Sequence, residues 1–340
     1  MKSPARFRYG FAGAAILSLV RPIVLHAQDT TRLDIRWSPI IDLHFHARAL
    51  ADSSKAPPTD LAPLMEPIRK LDKALGGWGP LEANLYGCNT AAEVRAVFSD
   101  LPERFTPRGP GSRDTGKEVE FRALALALAD GLVQVEPSMA RTMASHEGLV
   151  KRAREAATER LARSEAACLK YMIDHLGPQD RKTVIPVYLV ADMPFPGAVT
   201  HYRAGRAGGV CFVAVRDVDP LQLVESILHE ATHALDIAWD GSGVLDELRK
   251  KLQESAPPVG RNVLHNVPHT LMFVHAAETV RRNIDPTHKH YGDVAGYYAK
   301  VPRATGAVRQ PWIEYLDGKL SREDALDHMV QSVSSPTGPQ

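Results

Sequence analysis

The stretch SILHEATHALD, residues 226–236, carries two histidines four apart with a glutamate between them. On an α-helix four residues turn through about 400°. His229 and His233 therefore project from one face, and Glu230 stands at its edge. Ile227, Leu228, Ala231, Thr232, Ala234 and Leu235 are all uncharged, as a largely buried helix requires. Upstream, Asp219 occupies an N-cap position, with Pro220 at the first helical position and Gln222 at the third. The helix is therefore expected over residues 220–238.

Working outward, the text before this helix reads as strand. TVIPVYLVA (183–191) and GGVCFVAV (208–215) are apolar runs rich in β-branched and aromatic residues. The turn MPFPG and a second, shorter strand VTHYRA (199–204) lie between them. Earlier still, helices dominate. DLAPLMEPIRKLDKAL (60–75) has an apolar stripe, and NTAAEVRAVFSDL (89–101) opens with a cap at Asn89 or Thr90. Residues 117–175 suit two or three long helices, and TPRGPGSRDTG (106–116) is loop by composition. QDTTRLDIRWSP, from residue 28, is polar and reads as a mobile lead-in. The expected class is α+β, mainly helical, with a helical N-terminal region over 28–180, a second region over 181–332 and a disordered tail over 333–340.

The spacing of His229, Glu230 and His233 is that of the HExxH motif. Two imidazoles hold a zinc ion, and the glutamate takes a proton from the attacking water. The competing reading is a core helix with two satisfied histidines. A catalytic zinc needs a third protein ligand. Asp236 and Trp239 stand where the metzincin continuation needs Gly and His, so the ligand must come from further on. VPHTLMFVHAAETVRRNID (267–285) reads as a second helix beginning near Pro268, with Leu271, Val274 and Glu278 on one face. A carboxylate in the middle of an apolar helix is costly without a cation, so Glu278 is the preferred third ligand. His275, His269 and His265 are its rivals, and an ion pair with Arg281 or Arg282 is the bland alternative.

A strand, an HExxH helix and a second helix supplying Glu together resemble the gluzincin branch of the zincin metallopeptidases, over residues 184–284. The resemblance implies a zincin-like core of a small mixed sheet, the motif helix and the glutamate-bearing helix. It implies one Zn2+ ion held by His229, His233 and Glu278, with Glu230 as general base. It also implies hydrolysis of a peptide or protein substrate laid along an edge strand, here GGVCFVAV. Glu278 follows His233 by 278 − 233 = 45 residues, and Arg282 stands four after it where thermolysin-like members carry Asp. The resemblance is therefore at the level of the clan. The family also wants a donor for the oxyanion, and THKHYGDVAGYY (287–298) offers Tyr298, then Tyr291.

A second motif competes. PIIDLHFHARAL (39–50) holds His44 and His46, and its HxH text is similar to the metal-binding end of the first strand in amidohydrolase-type barrels. The eight strand–helix alternations of such a barrel are missing. A non-catalytic binding protein with a structural zinc is the remaining alternative.

Composition narrows the partners. With 41 Lys+Arg against 40 Asp+Glu, there is no basic footprint for nucleic acid or an anionic membrane. MKSPARFRYG, the apolar FAGAAILSLV and a small residue at Ala27 read as a signal peptide over 1–27, which implies a secreted or periplasmic protein without a later membrane span. Three distant cysteines, Cys88, Cys168 and Cys211, allow at most one disulfide and build no CxxC metal site.

Overall fold

The computed structural model describes residues 30–334 except 54–57, 76–77, 102–103, 106–118, 121, 178–182, 195–196, 203–208, 217, 238–242 and 256–257. The signal-peptide reading, the 106–116 loop and most of the expected tail lie outside the described residues.

The chain begins with strand β1 (Arg32–Arg36) and helix α1 (Pro39–Asp52), then α2 (Ala62–Leu75), the one-turn α3 (Gly79–Glu82) and α4 (Ala91–Ser99). Two short strands, β2 (Arg104–Phe105) and β3 (Val119–Glu120), pair with each other. Three long helices follow, α5 (Arg122–Val135), α6 (Ala140–Leu161) and α7 (Glu165–Leu176). Next come β4 (Val184–Val190), β5 (Ala198–Tyr202), β6 (Gly209–Ala214) and α8 (Pro220–Ile237), the HExxH helix. The chain continues with α9 (Val244–Gln253), α10 (Arg261–Asn283), one-turn α11 (Tyr291–Val294) and α12 (Tyr297–Lys300), α13 (Pro302–Leu316) and α14 (Arg322–Ser334).

Local chemistry explains the boundaries. Ser38 caps α1 with Pro39 at its first position, and Thr90 with Glu93 forms a capping box on α4. Asp219 Oδ1 accepts the Leu221 amide at the start of α8. Two expectations about boundaries change. RLDIR, read as part of a mobile lead-in, is strand β1, with Leu33 buried in the core and Ile35 packed against it. Helix α10 begins at Arg261, so Pro268 lies inside it, where it has no amide to give to the helix.

The four-stranded sheet has the order β1-β4-β6-β5, with β1, β4 and β6 parallel and β5 antiparallel to β6. Both faces are covered, which is why VIPVYLV in β4 is a continuous apolar run. Tyr188, Val190, Val210 and Phe212 pack against α1, α2, α4 and α5 on one face. Ile185, Val187, Leu189, Cys211 and Val213 pack on the other against α6, α7, α8 and α10. A third core joins α9, α10, α13 and α14. The architecture is mainly helical with a small mixed sheet, as the α+β expectation has it. The boundary drawn at residue 181 crosses the sheet, because β1 pairs along its whole length with β4. GGVCFVAV is corrected from edge to interior strand: β6 lies between β4 and β5, and β5 is the edge.

All three cysteines are buried free thiols. Among the described residues, no helix is long and apolar enough to cross a membrane.

Candidate metal centre

Helix α8 crosses the sheet close to β6, and the approach is set at one glycine. A Cβ on Gly209 would come within 3.3 Å of Ala234 Cα and 2.5 Å of Thr200 Cγ2. The same contact puts the His233 end of α8 beside the edge strand β5. Helix α10 lies along α8, with Ala276 and Val280 against Ile227, Ala231 and Ala234. His269 belongs to that face: positions 269, 273, 276 and 280 follow the three-and-four spacing of one helical stripe.

His229, His233 and His269 converge there. One nitrogen from each lies within 4.8 Å of the others. Their ring centroids form a near-equilateral triangle with sides of 4.9, 5.1 and 5.3 Å. His229 Nε2 faces His269 Nε2 at 3.2 Å. Burial, helped by the neighbouring imidazoles, holds His229 well below its usual range and His269 down at about 3. His233 is held at about 4 by burial and by Arg249 and His265. Near neutral pH the three rings are therefore uncharged, each with a lone pair to give. This donor set could hold a metal ion.

The surroundings orient the rings. Tyr297 Oη lies 3.4 Å from His269 Nδ1 and 3.3 Å from Thr270 Oγ1. With Nδ1–H directed to the phenol oxygen, Nε2 keeps its lone pair for the cluster. Phe273 lies tilted against His229 with ring centroids 4.0 Å apart, and Tyr297 stacks on Phe273 at 4.2 Å.

Glu230 is buried beside the cluster, and Thr200 Oγ1 of β5 donates to its Oε2 at 2.7 Å. Burial pushes this carboxyl up to about 8, and the threonine bond opposes the shift. A group held there is poised to move a proton near neutral pH.

Glu278 is corrected as a ligand. It follows His269 by 278 − 269 = 9 residues, which is two and a half turns, so the two side chains leave opposite faces of α10. Its carboxylate accepts from Arg281 Nη2 at 2.8 Å, Arg282 Nε at 3.0 Å and His290 Nε2 at 3.0 Å. Burial works against its charge, but the His290 and Arg281 bonds outweigh it and hold the group at about 2. The cations that this buried carboxylate requires are arginines.

Of the other rivals, His275 accepts from Trp312 Nε1 at 3.2 Å and stacks on Tyr171, away from the cluster. The preferred oxyanion donor, Tyr298, also sits elsewhere. Tyr298 Oη is 3.3 Å from His290 Nδ1, and the Tyr291 amide donates to Glu225. The tyrosine at the histidines is Tyr297, one residue before the preferred one. His44 and His46, two apart on α1, diverge by about 200°. His44 Nε2 donates to the buried Glu82, which also receives His201 Nε2 and Arg48, whereas His46 packs on the His146 ring. The amidohydrolase-type reading, which needs the pair on one metal, is not what this helix delivers.

No protein-family model, no curated protein and no solved structure matches this chain.

Proposed function

We propose that the protein is a zinc-dependent hydrolase of peptide bonds, with His229, His233 and His269 as the ligands. The observation that carries this reading is the convergence of three neutral imidazoles next to a buried glutamate. Three protein ligands leave a tetrahedral ion one position for water or substrate. Bound there, zinc would supply Lewis acidity and ease the deprotonation of water. Glu230, steadied by Thr200, takes that proton as the scissile carbonyl is attacked and hands it to the leaving amine. His269, with Tyr297 behind it, supplies the third ligand that the resemblance had placed at a glutamate. The peptide class is supported by β5. It is the end strand of the sheet, it bears the threonine that holds Glu230, and an extended chain can add to such an edge. As a secreted or periplasmic enzyme it would meet peptide substrates outside the cytosol.

The test is Glu230→Gln. Metal content stays at the parent level while cleavage of a mixed peptide pool falls by about 10³-fold or more. Unchanged cleavage would remove Glu230 from the chemistry.

A further inference from the structure

A second polar site lies on the far side of α10 from the histidines. Arg281, Lys289 and Arg309 stand around a cavity of about 420 Å³, with His288 and His290 also in its wall. We propose that this cavity binds a small oxyanion, the phosphate or carboxylate group of a larger ligand.

The donors are available. Lys289 is exposed and makes no ion pair or side-chain hydrogen bond among the described residues, so its ammonium can turn to a ligand. Arg281 spends Nε and Nη2 on Glu278 Oε2 and keeps Nη1 for another acceptor. Arg309 is held in place by two bonds to Asp293, at 3.0 and 2.7 Å, and its guanidinium lies over the Tyr298 ring at 5.2 Å. Three permanent cations thus face one carboxylate on the wall. Glu278 lies behind it and is already shared among Arg281, Arg282 and His290. The wall is also braced. His288 Nε2 is fixed on Glu225 at 2.6 Å and His290 Nε2 on Glu278 at 3.0 Å, so the Lys289 backbone is pinned from both sides. The volume exceeds what one phosphate fills, and the exposed Val294 on the rim offers an apolar contact for the rest of a ligand.

The site is separate in space from the three histidines. Arg281 follows His269 by 281 − 269 = 12 residues, about 18 Å along the helix.

Calorimetric titration of the full-length protein with inorganic phosphate, and separately with acetate, at fixed ionic strength tests the proposal. Saturable one-to-one binding of either anion is expected, and the better probe names the oxyanion. Lys289→Glu should weaken it about tenfold or more, and Lys289→Arg should restore it. Lys289 carries no structural bond, so an unchanged melting temperature will show that the variant folds. No saturable heat in the parent overturns the proposal. So does an affinity that Lys289→Glu leaves unchanged but a chelator abolishes, since the anion would then sit at the histidines.

Discussion

Glu230 and Glu278 are both buried carboxylates, and their neighbours drive them in opposite directions. Glu230 has one neutral donor and is pushed up to about 8, whereas Glu278 has two guanidiniums and an imidazole and is held at about 2. Thr200 is the one hydrogen-bond partner of the Glu230 carboxylate among the described residues. Thr200→Val is therefore expected to lower turnover by about tenfold and move the acidic limb, which Glu230 governs as the base, toward higher pH. A pH–rate profile of that variant beside the parent checks this, and an unmoved profile would count against it. The depressed groups set acid stability. His229, His233, His269 and His275 are kept neutral in the fold, so the unfolded chain takes up protons first, below its usual 6.5. Stability should decline as pH falls from 6.5 toward 4, and further from 4.5 toward 2 as Glu278 is titrated. Denaturant unfolding across that range measures it, and Glu278→Gln should flatten the lower part.

Between the elements, the decisive contacts are those that press α8 against the sheet and against α10. Gly209→Ala would drive a methyl into Thr200 and toward the α8 backbone, with an expected loss of about 1–3 kcal/mol. On the other side, Glu225 of α8 meets His288, and Glu278 of α10 meets His290. The segment 288–290 thereby ties the two helices that carry the histidines. His288→Ala leaves Glu225 buried with the Tyr291 amide alone, and about 2 kcal/mol should be lost in denaturant unfolding. A loss below about 0.5 kcal/mol would mean the tie is not needed. Much at this scale was legible. Asp219 and Pro220 marked the start of α8, and Asn89 or Thr90 marked that of α4, where Thr90 proves to be the cap. For the third position the sequence offers His269 only as a rival to Glu278. Pro268 suggested a helix start, which placed His269 at a terminus and hid the stripe 269, 273, 276, 280. The carboxylate at 278 points to a cation because a buried charge needs one, and the sequence does not say which cation. The segment 287–298 was seen as a source of tyrosine, but a one-residue choice between Tyr297 and Tyr298 depends on how two single turns pack.

Among the described residues a small sheet lies between two helical layers, of which the N-terminal helices are one, and a third core lies beyond it among α9, α10, α13 and α14. RLDIR completes the sheet from residues far earlier than its partner β4, a long-range pairing that local patterning cannot reveal. Alternate residues of β4 feed both cores, so a defect in either should be felt at the candidate metal centre. A metal that binds only the folded chain adds to its stability. With zinc at a hundredfold excess over its dissociation constant, the gain is about 2.7 kcal/mol. The melting temperature should rise accordingly, and His233→Ala should abolish the rise. The most direct test of the three-histidine centre is zinc content, measured together for the parent, His269→Ala and Glu278→Ala. About one zinc per chain in the parent and in Glu278→Ala, with a sharp loss in His269→Ala, is the expected result. Zinc lost from Glu278→Ala but kept by His269→Ala, or no zinc in the parent at all, would contradict it.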